Sequence, residues 1–314
     1  MDAKELLRRY TAGERDFHTA DLSGVHLREA DLSGVVMRKA VLIGADLSGA
    51  NLVGADLSGA NLKQANLSGS HLSGTHLNGA ILTEADLTEA DFSGANLSRA
   101  DLRKAVLTEA ELTNTHLHSA HLEGACLNRT NLSRADLREA HLKQVRLTGA
   151  NLRRANLTQI NLSRADLSGA NCERADLSGA NLAEADLSWA NLEGANLSNA
   201  NLYQVNLNGA NLTGANLHRA NLIDTKLTFA GLRGANLESA ELTRATLTEA
   251  DLSWAHLDGA NLSGANLRKA TLLDVNLSSV ILRGADLVEA KLDWVDTPGV
   301  DLSWAVMPNG TIHP

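Results

Sequence analysis

The sequence predicts an all-β solenoid in which short extended steps repeat along one elongated domain. Three observations predict it. Leu recurs every fifth residue from Leu22, Leu27 and Leu32 through Met37, Leu42 and Leu47 to Leu292, lapses at Thr297 and resumes at Leu302. Ala stands two residues before most of these central residues, and Asp or Asn stands one before, as in Ala55-Asp56-Leu57-Ser58-Gly59. Hydrophobic residues make up 44% of the chain but aromatics only 3%, so the core must be narrow and filled by small layers of Leu and Ala.

A period of five suits neither an α-helix nor a plain strand. Gly at many fifth positions, with Ser or Thr before it, would break a helix repeatedly. A short extended step followed by a turn fits better, with the central Leu and the preceding Ala pointing inward and the other three positions outward. On these residues the chain resembles the pentapeptide-repeat family, and the closing Met307-Pro308-Asn309-Gly310-Thr311-Ile312-His313 and opening Leu7-Arg8-Arg9-Tyr10 resemble its cyanobacterial members. The resemblance implies a right-handed quadrilateral β-helix with four pentapeptides per coil. Over residues 17–307 that makes about fourteen coils.

In chain order, residues 1–16 read as an N-terminal helical cap: Asp2 as N-cap, Leu6, Leu7 and Tyr10 as an apolar face, and Gly13 as the stop. Residues 17–307 form the β-helix, and 308–314 a C-terminal tail. Asp296-Thr297-Pro298-Gly299 interrupts the last coils, Pro308-Asn309-Gly310 reads as a turn, and Ile312 is expected to fold back over the last layer. Where Val145, Ile160 or Thr225 replaces Ala, and Met37, Phe92 or Cys172 replaces Leu, local volume adjustment is the expected reason.

Net charge is −9, which disfavours direct binding of nucleic acid. The charge is uneven: residues 175–314 carry 8 Lys/Arg against 16 Asp/Glu, and residues 97–174 carry 12 against 8. Cys126 and Cys172 occupy different repeat positions and suggest no disulfide, and Cys172 is expected to be an inert core thiol. The start of the chain lacks an apolar signal segment and no apolar run is long enough to span a bilayer, so a cytoplasmic protein without membrane contact is expected.

Stacking the chain at 20 residues turns the position before Leu into columns. Asn131, Asn151, Asn171, Asn191 and Asn211 form one, and such amides can bond along a stack. The carboxylates there read as turn and ladder residues rather than catalytic acids. His121 and His141 fall in one column, with His116 and His118 close by, but no regular ligand spacing supports a metal centre. No cofactor or metal is therefore expected.

Candidate interaction residues are the outward positions that depart from the repeat. Arg134, Arg154 and Arg174 stack at one position, with Arg153 beside Arg154. Trp189 with Phe229, and Trp254 with Trp294, share columns two coils apart, and Tyr203 is followed in its column by Ile223. Exposed aromatics and Arg anchor protein partners; bulky groups shielding the backbone at the coil corners are the plainer account. No Gly-rich phosphate loop or nucleophile–base pair is evident, so an enzyme is not expected. The expected role is a scaffold for an unidentified protein partner, as a monomer or a weak end-to-end dimer. The resemblance also implies an alternative, mimicry of duplex DNA toward a type II topoisomerase such as gyrase. Uninterrupted coils, the lack of a C-terminal dimerisation helix and the central basic stretch count against that.

Overall fold

The computed structural model describes residues 1–292 and 299–314. The chain divides into two compact units, Met1–Asn156 and Leu157–Pro314. Each is a β-helix of the same local construction.

Parallel bridges join residues 20 apart: Asp46 to Asn66 in the first unit, for example, and Asn201 to Asn221 in the second. Twenty residues therefore close one coil, which is four pentapeptides. Most coil-to-coil contacts are bridges of a single residue pair. Longer pairing appears where strand β1 (Thr271–Leu272) runs parallel to β2 (Lys291–Leu292), with Thr271 opposite Lys291.

Why a pentapeptide suffices as a structural step follows from its backbone donors. In Ala55–Gly59, Asp56 N–H reaches back to Val35 O at 2.8 Å, while Leu57 and Gly59 N–H reach forward to His76 O at 2.7 Å and Asn78 O at 3.0 Å. The next Ala60 N–H closes the turn on Leu57 O at 2.9 Å. That leaves Ser58 N–H, which donates to Oδ1 of Asp56 at 3.0 Å. All five donors are thus satisfied, as a backbone this tightly wound requires. The Asp/Asn column is therefore a turn device: its side chain accepts the one N–H that the coil ladder cannot reach. Asn adds a second bond along the column, as from Asn151 Nδ2 to Asn131 Oδ1 at 3.0 Å and Asn221 Nδ2 to Asn201 Oδ1 at 3.0 Å. Where Glu111 replaces Asn, its two carboxylate oxygens do both jobs, accepting from Thr113 N–H at 3.1 Å and Asn131 Nδ2 at 2.9 Å.

Inside each unit the Leu and Ala ladders are almost wholly buried, with Met37, Phe92 and Cys172 at 0% exposure in Leu positions. Substitutions of Ala by Thr involve more than volume. Thr75, Thr115, Thr130 and Thr225 are each buried, and each hydroxyl donates to a Leu or Phe carbonyl 23 residues back at 2.8–2.9 Å. A hydroxyl buried without that acceptor would be costly. Val145 and Ile160, which lack a hydroxyl, are buried as space-fillers.

The chain opens with helix α1 (Ala3–Thr11), N-capped by Asp2, whose Oδ1 accepts Glu5 N–H at 2.8 Å. Leu6 is fully buried, and the Tyr10 hydroxyl donates to Ser33 O at 2.7 Å. Leu7 is only half-buried, so the apolar face is narrower than Leu6, Leu7 and Tyr10 together suggested. Among the described residues no helix is long and apolar enough to cross a membrane.

At the other end the chain turns through Pro308–Gly310 and runs back antiparallel, Val306 bridging Ile312 and His313 N–H donating to Ala305 O at 2.8 Å. Ile312 remains 65% exposed, which corrects the expectation that it covers the last layer. Its backbone pairs with the coil while its side chain stays outside. The expected interruption at Asp296, Thr297 and Pro298 lies outside the described residues, as does Trp294.

Candidate interaction surface

Among the described residues each coil corner is made by the second residue after the central one, and this residue takes a left-handed backbone conformation. Gly suits it, as at Gly59 with φ +65°. Trp189, Phe229 and Trp254 hold the same conformation at φ 60°, and Trp304 at φ 61°. For bulky residues this region costs about 1–2 kcal/mol. Burial does not offset it, because Trp189 is 71% exposed, Phe229 58% and Trp254 51%.

Trp189 lies flat over the backbone of the next coil: a Cβ on Gly209 would sit 2.5 Å from the indole Cε3. Phe229 occupies the same corner one coil beyond Gly209, two beyond Trp189, so the three make an aromatic column spaced by a glycine. Trp254 is held from two sides. Its indole N–H donates to Asp274 Oδ2 at 2.9 Å, and the Arg233 guanidinium sits 4.1 Å from the ring centroid. Arg233 in turn reaches Asp251 at 3.3 Å. Burial pushes the Asp251 carboxyl up, but bonds from Ser253 and Arg233 outweigh it and hold the group below its ordinary value. Tyr203, 36% exposed, lies on a different corner from Trp189, with Ile223 after it in the column. The described aromatic candidates of the second unit, Trp189, Tyr203, Phe229 and Trp254, are therefore spread over three corners and do not converge on one patch.

In the first unit Arg134 and Arg154 occupy the same corner in successive coils, set by the bridge between Asn131 and Asn151. Both are exposed, and Arg153 precedes Arg154 on that corner. Arg174 belongs to the second unit, where its Nε lies 3.8 Å from Glu173 and its stem runs over Gly194. Other corner residues pair along their columns: Arg129 with Glu109 at 2.9 Å, Arg164 with Glu184 at 3.1 Å, and Arg244 with Asp224 at 2.8 Å. Such exposed pairs add little stability each, but each cancels a charge that the corner would otherwise present.

The histidines sort differently from their sequence spacing. His121 and His141 stack, and Glu123, which sequence spacing did not single out, stands beside both. His116 bridges Asn96 and Asp136 in a different column, and His118 faces Glu139 at 3.4 Å. The readable signal was His-Leu-Glu in one coil with a second His 20 residues later. Of the two thiols, Cys172 is fully buried and pushed up to about 12 by desolvation, which leaves it without nucleophilic character near neutral pH. For Cys126 burial raises the pKa, but the Thr108 hydroxyl, Asn128 N–H and Arg146 more than offset this, and the net direction is downward.

Comparison with known proteins gives a family match and several similar solved structures. A sequence model of the family described as "Pentapeptide repeats (8 copies)" matches in overlapping stretches from residue 20 to residue 296. Comparison with curated sequences gives no match. Among solved structures the chain is similar to HetL, a pentapeptide repeat protein involved in heterocyst differentiation regulation from the cyanobacterium Nostoc sp. strain PCC 7120, with 33% identity over 100% of both chains and a TM-score of 0.19. It is also similar to alr5209 from Nostoc PCC 7120, with 39% identity over 34% of this chain and 82% of that one and a TM-score of 0.23. Full-length QnrB1, a plasmid-mediated fluoroquinolone resistance protein, shares 20% identity over 68% of this chain and 91% of its own, with a TM-score of 0.27. The five-residue beat, the 20-residue coil and the extent of the family match lead to one assignment: the chain belongs to the pentapeptide-repeat family, whose members fold as right-handed quadrilateral β-helices.

Proposed function

We propose that this is a non-enzymatic interaction protein, whose stiff β-helix presents corner side chains to a protein partner. The reading takes α1 as a cap on the first of about fourteen coils and places the protein in the cytoplasm, acting without nucleic acid or membrane. The observation that carries it is the aromatic corner set. Trp189, Phe229 and Trp254 hold a backbone conformation that favours Gly, yet stay largely exposed. Many charged and polar corner residues hold the same conformation, so what sets these three apart is the large apolar surface they leave in solvent, and rigid aromatics are efficient anchors.

The test uses Gly, the residue the corner prefers. Trp189→Gly, Phe229→Gly and Trp254→Gly, together, should change stability by no more than about 1 kcal/mol per site, because relief of the left-handed backbone offsets the lost contacts of Trp254 with Asp274 and Arg233. The same variant should lose proteins that the native chain retains in affinity capture from its source cells. Lower stability with unchanged capture would mean that the aromatics merely shield the coil corners.

A second reading, mimicry of DNA toward a type II topoisomerase, draws on the 16 Asp/Glu against 8 Lys/Arg of residues 175–314. Against it, Asp224, Asp251 and Asp286 are each taken up by an Arg at 2.8–3.3 Å, which lowers the free negative charge. A supercoiling assay with purified gyrase separates the two: neither inhibition nor relief of a quinolone is expected on the interaction reading.

A further inference from the structure

We propose that His121, Glu123 and His141 form a site for a divalent transition ion of the zinc type. His121 and His141 occupy a column in which Asn and Asp are usual, and a parallel backbone bridge sets them in successive coils. Their rings stack with centroids 4.6 Å apart and planes 12° from parallel. Glu123 Oε1 lies 3.7 Å from Nδ1 of His121 and 3.8 Å from Nδ1 of His141. One donor atom from each residue falls within 4.8 Å of the others.

Two features favour an ion over simple side-chain pairing. The Glu123–imidazole separations exceed hydrogen-bond length, so the carboxylate stands beside the edges of both rings without bonding either. Its second oxygen, Oε2, is buried with no hydrogen-bond partner, and a carboxylate oxygen in that state is costly. An ion taken up by both oxygens of Glu123, or by Oε2 after the carboxylate turns, would satisfy it. Tetrahedral zinc, with bonds of about 2.0 Å, holds its ligand atoms about 3.3 Å apart. The Glu123–histidine gaps need to close by roughly half an ångström to meet that. The stacked rings aim their lone pairs in parallel, so each must turn about its Cβ–Cγ bond, a soft torsion.

The donor set is two imidazole nitrogens and one carboxylate oxygen, with a fourth position left for water. That suits zinc, cobalt, nickel or copper, and not calcium or magnesium, which take mainly oxygen ligands. Arg103, paired with Asp101 at 2.6 Å, stands in the coil before Glu123, and Lys143 in the coil after it. These cations oppose a divalent ion, so binding should be weaker than at a fully enclosed zinc centre.

The test is calorimetric titration of zinc into untagged, chelator-treated full-length protein. One ion per chain with micromolar affinity is expected. Glu123→Gln should weaken binding about tenfold or more. The double variant His121→Asn/His141→Asn should abolish it while keeping the native unfolding temperature, because Asn is the ordinary residue of such columns. His116→Asn/His118→Asn should bind like the native chain, and cobalt should give a four-coordinate visible spectrum only where zinc binds. Absence of saturable uptake, or uptake that survives the His121→Asn/His141→Asn change, would overturn the assignment.

Discussion

Leu207→Asp should cost about 4 kcal/mol or more, because it places an unpaired carboxylate in a fully buried position. Leu207 belongs to a column whose neighbours, Leu187 and Leu227, are equally buried, and its own N–H is committed to Lys226 O at 2.7 Å. The new carboxylate has neither water nor a cation within that ladder. Each coil buries its apolar side chains only against its neighbours, so the damage should be local in origin. The expected record is a lowered midpoint in chemical denaturation, with the transition broadened or split as flanking coils unfold separately. Asn208→Asp is the control. It adds the same charge at the adjacent outward position and keeps the oxygen that accepts Thr228 N–H at 3.0 Å. Its effect should stay within about 0.5 kcal/mol. Equal midpoints for Leu207→Asp and the native chain would contradict the inward assignment of the central Leu.

Stability should also fall with alkali in a way that traces to Cys172. Burial pushes its thiol from the ordinary 9.0 up to about 12. In the unfolded chain the thiol ionises near the lower value, while in the native core it resists. Unfolding above that value therefore releases a proton, so rising pH favours the unfolded state. The contribution is fully present below pH 9.0 and is lost progressively as pH climbs toward about 12. Its full size is on the order of 4 kcal/mol, three pH units of linkage. Tyr and Lys ionise in the same window, so the informative quantity is a difference. Cys172→Ala should be somewhat less stable at neutral pH, because it leaves a small cavity. It should show a shallower decline between pH 9 and pH 12 than the native protein. Parallel stability profiles for the two would show that the buried thiol does not carry the alkaline sensitivity.

Much of the fold was legible because its core is written at a constant spacing. Ala55 and Leu57 point inward for the same reason as Val205 and Leu207: the turn repeats every five residues and returns the same face to the axis. The Asp/Asn column was legible as a turn and ladder device because one side-chain oxygen, one residue before Leu, can reach the N–H two residues on. Less legible was what Thr225 does in an Ala position, since its bond to Leu202 O depends on which carbonyl the neighbouring coil offers. At the end of the chain, Ile312 was misread because apolarity alone cannot tell a side chain that covers a layer from one whose backbone does the pairing.

The outward residues divide along the same line. Columns were predictable, so Arg134 with Arg154, Trp189 with Phe229, and His121 with His141 could be placed in register by counting 20 residues. What could not be counted is where long side chains turn once they leave the backbone. The indole of Trp189 lies over Gly209, Trp254 is held between Arg233 and Asp274, and Glu123 stands beside two stacked imidazoles. The sequence by itself determined the coil, its inward ladder and the register of the described outward positions within each unit, because these follow from a backbone whose hydrogen bonds close every five residues. Only the tertiary structure decided which outward groups meet, because contacts at the corners depend on side-chain torsions and on neighbours in adjacent coils that no local spacing specifies.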